Sequence, residues 1–84
     1  MKAEEIYVVR TLAYHNGEAT NFFINFKSTD LDEAIQHAIF VLEEINEMMA
    51  TEDFDESYKF TVCVFRTDKY NNARLEWLQN SLNW

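Results

Sequence analysis

Residues 5–27 are EIYVVRTLAYHNGEATNFFINFK. Two runs rich in β-branched and aromatic residues flank the dipeptide Asn16-Gly17. A two-residue type I′ turn needs positive φ at both central positions, which Asn and Gly adopt most readily, so the stretch is expected to be a β-hairpin. With that loop, Tyr7, Val9, Thr11 and Ala13 share a face with Phe26, Ile24, Phe22 and Thr20. This face is apolar and is expected to be the core. The other face sets Ile6, Val8, Arg10, Leu12 and Tyr14 against Lys27, Asn25, Phe23, Asn21 and Ala19. It carries more apolar area than a solvated face normally does, which makes Ile6, Val8, Leu12 and Phe23 candidates for an oligomer face.

Working outward, Asp30 is placed to cap a helix, with Glu33 three residues on to complete a capping-box-like pair. Leu31, Ala34, Ile35, Ala38, Leu42, Ile45 and Met49 then recur at helical spacing and form one stripe, with Ile39 and Val41 at its edges. The stripe reads as core, laid on the hairpin's apolar face. Residues 51–57 form a short acidic connection. Residues 58–67 alternate as a third strand, with Tyr58, Phe60, Val62 and Val64 on one side and Lys59, Thr61, Cys63 and Phe65 on the other. A right-handed crossover places this strand beside the first. Residues 68–72 form a turn in which Asn71 or Asn72 caps a final helix over residues 73–83. Its stripe is Leu75, Leu78 and Leu82, with Trp77 and Trp84 nearby. The expected fold is therefore α+β, a two-layer ββαβα arrangement. A three-stranded antiparallel sheet of order 2-1-3 packs on one long amphipathic helix, and a C-terminal helix lies beside that helix or closes the sheet's second face.

The chain has 84 residues, and residues 1–84 are expected to form a single domain. Its hydrophobic content of 48%, with seven Phe, four Tyr and two Trp, argues against disorder. No apolar run approaches the ~18 residues of a membrane span. The start, MKAEEIYVVR, has no signal-peptide apolar segment, and a lone Cys63 gives no disulfide framework. The expected location is cytoplasmic, in the cell of origin or a host cell.

Few side chains in the sequence could carry chemistry. His15, His37 and Cys63 have no spacing that joins them into a nucleophile and its base, so no catalytic residue is expected. Cys63 reads as a buried structural thiol. Asp53, Asp55 and Ser57 match the first three ligand positions of an EF-hand loop, but Tyr58 stands where Gly is needed and Val64 where the final Glu is needed. No Cys/His pair has zinc spacing. No metal or cofactor is expected, and with one Gly there is no phosphate-cradling loop. The net charge of −8 opposes direct binding to nucleic acid or an anionic membrane. The basic residues Lys2, Arg10, Lys27, Lys59, Arg66, Lys69 and Arg74 are scattered along the chain, with at most a small basic spot on the sheet's second face.

The acids are not scattered. Residues 28–58 hold Asp30, Asp32, Glu33, Glu43, Glu44, Glu47, Glu52, Asp53, Asp55 and Glu56, and neither Lys nor Arg. Opposite the core stripe of the helix lie Glu33, Gln36, Phe40, Glu43, Glu44 and Glu47. Glu43 and Glu47 are a like-charge i,i+4 pair that costs about 0.2–0.5 kcal/mol, and a helix C-terminus is the wrong end for anions. A phenyl ring amid carboxylates serves neither folding nor solubility, but aromatics ringed by charge are typical of protein interfaces. The expected partner-binding set is Glu33, Phe40, Glu43, Glu44, Glu47, Glu52, Asp53, Asp55 and Glu56. Carboxylates spaced by about one turn, ~5.4 Å, present charge to a Lys/Arg groove much as phosphates do. The expected function is a small acidic non-enzymatic protein-binding module, an inhibitor that blocks the basic nucleic-acid-binding site of a partner protein. The alternative is an oligomerising structural or accessory protein using the apolar second face of the sheet.

In charge and size the chain resembles the small acidic inhibitors that phages direct against nucleic-acid-binding host enzymes, including restriction and CRISPR effectors. Residues 28–45, STDLDEAIQHAIFVLEEI, resemble the helix that follows the sheet in HicB-type antitoxins. The turn glycines and prolines expected before that helix are absent, and no functional residue is carried across.

Overall fold

The structure is a computed structural model that describes residues 5–51, 56–82 and 84. Among the described residues, the strands are β1 (Ile6–His15), β2 (Glu18–Ser28), β3 (Tyr58–Thr67) and β4 (Ala73–Asn80), and the helix is α1 (Leu31–Thr51). The strands form one antiparallel sheet of order β2-β1-β3-β4. The expected α+β class, the antiparallel sheet packed on one helix and the 2-1-3 order of the first three strands are all present. The expected C-terminal helix is not: its residues form β4, a fourth strand at the sheet edge, followed by a short turn.

The hairpin turn is built as its residues dictate. Asn16 and Gly17 have φ of 52° and 83°, and His15 pairs with Glu18 across them. Further along, the register departs from a regular hairpin. It slips by one residue between Ala13 and Tyr14, and again between Val9 and Arg10, leaving Thr20 and Asn25 as the extra residues of two β-bulges. Each bulge reverses which side chains face which way. Phe23 therefore stands opposite Thr11 on the helix side, while Phe22 and Ile24 stand opposite Leu12 and Arg10 on the far side. Beyond the second bulge the alternation is restored, and Phe26 faces the helix opposite Val9. The expected assignment of Phe23 to the second face, and of Phe22 and Ile24 to the core, is thus corrected by the bulges.

The same device explains the last strand. Residues 73–80 consist mainly of good helix formers, and Leu75 and Leu78 are three apart. A bulge at Glu76, between the pairs Val64↔Trp77 and Phe65↔Leu75, gives this three-residue spacing one common face in a strand. Leu75 and Leu78 face away from α1, and Trp77 packs against the core. Asp68 shapes the loop that turns the chain into β4. Its carboxylate accepts hydrogen bonds from the N–H groups of Tyr70 (2.8 Å) and Asn72 (3.0 Å), and Asn71 takes φ of 63°. Past β4, the Ser81 hydroxyl accepts from the N–H of Phe60 at 3.1 Å, and the Trp84 indole donates to the Phe60 carbonyl at 2.8 Å.

Helix α1 starts at Asp30, whose carboxylate accepts from the N–H of Asp32 at 2.9 Å. The Asp30 N–H donates to the Ser28 hydroxyl at 3.0 Å, so Ser28 takes the place expected for Glu33 in the capping box. Ala34 and Ala38 are fully buried where the helix meets the sheet, and small side chains there let it lie close. They pack with Leu42, Val9, Val62 and Val64 as the central core, surrounded by Tyr7, Phe26, Leu31, Ile35, Val41, Ile45 and Trp77. No described helix is long and apolar enough to cross a membrane.

Candidate protein-binding surfaces

With one face of α1 committed to the sheet, the other is open. Glu33, Gln36, Phe40, Glu43, Glu44 and Glu47 are all exposed, and Phe40 leaves 53% of its surface to solvent. The ring of His37 links Phe40 to the fold. It stacks on Phe26 with centroids 4.3 Å apart and meets Phe40 at 6.3 Å in a tilted contact. His37 is thus half-buried between two rings. Glu56, at the far end of the acidic stretch, is exposed. Glu52, Asp53 and Asp55 lie outside the described residues, as does most of the tested calcium-loop match.

A groove of about 320 Å³ runs along the β2 side of this helix. Phe23, Val41, Ile45 and Met48 give it apolar walls, and Glu44 stands at its rim. On its floor the Thr11 hydroxyl donates to the Asn25 side-chain oxygen at 2.7 Å. Both bulges contribute to the groove, since they turn Phe23 toward the helix and leave Asn25 beside it. The arrangement suits a basic side chain, whose aliphatic stem fits the apolar walls while its charge meets Glu44. The regular-hairpin reading missed this groove. The available signal was Asn25 in the middle of a strand, a residue type depleted there and common at irregularities.

Among the described residues no helix covers the opposite face of the sheet, and at one end of it the Trp84 ring meets Tyr14 edge-on at 5.4 Å and lies beneath the Lys59 ammonium. Ile6, Val8, Arg10 and Leu12 of β1 share it with Phe22, Ile24 and Lys27 of β2, Lys59, Cys63 and Phe65 of β3, and Leu75 and Leu78 of β4. Ile6, Val8 and Leu12 lie where the sequence set them. Phe22 and Ile24 were missed because a bulge turns them, and Leu75 and Leu78 because residues 73–83 carry the pattern of a helix. Arg10 lies over the Phe65 ring at 5.4 Å, and its Nε is buried with no hydrogen-bond partner. Arg10, Lys27 and Lys59 make this face basic, opposite the acidic helix. Cys63 is fully buried beneath its neighbours. Its thiol donates to the Arg10 carbonyl at 3.6 Å, and burial raises its pKa above 9.0.

Among the described residues no three His, Cys, Asp or Glu side chains are grouped to hold a metal ion. No family model, curated protein or solved structure matches the chain.

Proposed function

We propose that the protein is a non-enzymatic protein-binding module, an inhibitor whose acidic helix face occupies the basic nucleic-acid-binding groove of a partner protein. The observation that carries this reading is Phe40. The ring stands 53% exposed amid Glu33, Glu43, Glu44 and Glu47, and β4, at the sheet edge, leaves it uncovered. The carboxylates steer the basic partner and fix its orientation, and the ring and the neighbouring groove supply apolar burial at the centre. Charges spaced by one helical turn imitate a phosphate row only approximately, so discrimination falls to Phe40 and the groove.

The test is capture of partners from lysate on the immobilised protein, washed at ~0.1 M and then ~0.5 M salt, which shortens electrostatic screening from about 10 Å to near 4 Å. A basic nucleic-acid-binding protein released by the second wash is the expected result. The variant with Glu43→Gln, Glu44→Gln and Glu47→Gln should bind it more weakly and with a flatter salt dependence. Unchanged affinity in that variant would sink the mimic reading.

A further inference from the structure

We infer that the helix-free face of the sheet is the interface of a twofold homodimer, with sheet packed on sheet. The inference is separate from the partner reading of the helix, which faces the other way. Its first support is area. Strands of 10, 11, 10 and 8 residues make up the sheet. At about 4.8 Å between strands and about 3.3 Å per residue, the face measures about 19 Å by about 30 Å, roughly 570 Å² in projection. Side-chain relief raises the accessible area above that figure, toward the ~800 Å² per partner of a stable interface. The face is also apolar along its whole width: Phe22, Ile24, Leu75 and Leu78 are each about half exposed, at the two outer strands, where a central helix on a partner would not reach them all.

The second support is charge. None of the strand positions on this face is Asp or Glu, in a chain with fifteen acids. Self-association through the helix side would press carboxylates against carboxylates, whereas sheet-to-sheet packing leaves the acids of the helix in solvent. Lys27 and Lys59 sit toward opposite ends of the face, Lys27 exposed and Lys59 with its ammonium 5.7 Å from the centre of the Trp84 ring. Arg10, near the centre, already lies over the Phe65 ring at 5.4 Å, and a guanidinium is the cation that interfaces accept most readily. Its Nε is buried with no hydrogen-bond partner among the described residues. The dimer displays two acidic helices on opposite outer sides, one for each partner molecule.

The geometry sets the sign of the salt effect. Both copies carry a charge of −8, and both meeting faces are basic. Screening therefore strengthens this dimer, whereas stacking of an acidic helix on the basic sheet face would be weakened by salt. The experiment is sedimentation velocity from roughly 1 to 200 μM protein, at ~0.05 and ~0.5 M NaCl, on the wild type, on Ile24→Thr/Leu78→Thr and on Phe40→Ala. The expected results are a monomer–dimer equilibrium that tightens several-fold with salt, and a dissociation constant raised about 100-fold or more in the double Thr variant. Phe40→Ala should dimerise like the wild type. Thr keeps strand propensity and both side chains are already half exposed, so circular dichroism should be unchanged. Should that variant misfold, the wild-type salt dependence together with Phe40→Ala still decides, because a helix-to-helix dimer would also tighten with salt but would be lost in Phe40→Ala. A monomer throughout the range at high salt, association that falls with salt, or a dimer lost in Phe40→Ala would each overturn the inference. Capture of the basic partner by the monomeric double Thr variant is independent of these outcomes, so failure of the dimer and failure of the proposed function read out separately.

Discussion

Replacing Phe40 by Ala separates binding from folding. Phe40 leaves 53% of its surface exposed. For a ring of about 200 Å² that is roughly 110 Å², and covering it at ~25 cal/mol per Å² is worth about 2.7 kcal/mol, a factor of about 100 in affinity. Folding should not pay this amount, because the exposed part of the ring gains nothing in the free protein. Ala is the better helix former by about 0.5 kcal/mol, which offsets the loss of the tilted contact with His37. The variant should therefore melt within a few degrees of the wild type while its affinity for the captured partner, by titration calorimetry, falls about 100-fold. A melting temperature lowered by more than about 5 °C, which for this size means about 1 kcal/mol, would assign Phe40 to the fold and refute the reasoning.

Three further outcomes test the structure itself. Leu42→Ala removes a 95%-buried side chain from the central core, so stability should fall by about 3 kcal/mol and the melting temperature by about 12–24 °C, read by thermal denaturation; a shift under about 5 °C would contradict the packing. Hydrogen bonds from Asn72, backbone first and then side chain, hold the Asp68 carboxyl below its usual 3.8. Its folded pKa is lower than its unfolded one, so its contribution is complete above 3.8 and lost as pH falls through the folded value. Amide exchange at Tyr70 and Asn72 should accelerate, relative to the intrinsic rate, across that window in the wild type and show no such step in Asp68→Asn; a step in both would contradict the assignment. Cys63, buried and with its thiol pKa raised, should resist alkylation at pH 8 until the protein is unfolded; rapid reaction of the native protein would place it elsewhere.

Much of the fold is legible in the chain because local chemistry and tertiary packing agree over those segments. Asn16-Gly17 has one good use, the alternation of β1 and β3 matches a central strand, and the stripe from Leu31 to Met49 matches a helix on a sheet. What was misread has one physical origin. A β-bulge shifts the two-residue alternation by one, so Phe22, Phe23 and Ile24 exchange faces, and Leu75 and Leu78 share a face at a spacing that a helix also satisfies. With helix-forming residues around them and Asn71 or Asn72 placed to cap, residues 73–83 carry every local signal of a helix. Pairing with β3, a non-local contact, decided otherwise. The acidic surface was legible because carboxylates opposite a core stripe have nowhere to go but solvent. The groove was not, because it exists only where the bulges of β2 meet the flank of α1.

The most direct measurement of the central claim is competition at the partner's nucleic-acid site. With the captured protein loaded with a fluorescent oligonucleotide, anisotropy is followed as the acidic protein is added at constant salt. The account predicts full displacement of the oligonucleotide, with an inhibition constant equal to the directly measured dissociation constant. The Glu43→Gln, Glu44→Gln, Glu47→Gln variant should displace it only at higher concentration. An oligonucleotide that stays bound while the acidic protein also binds, giving a ternary complex, would contradict the claim.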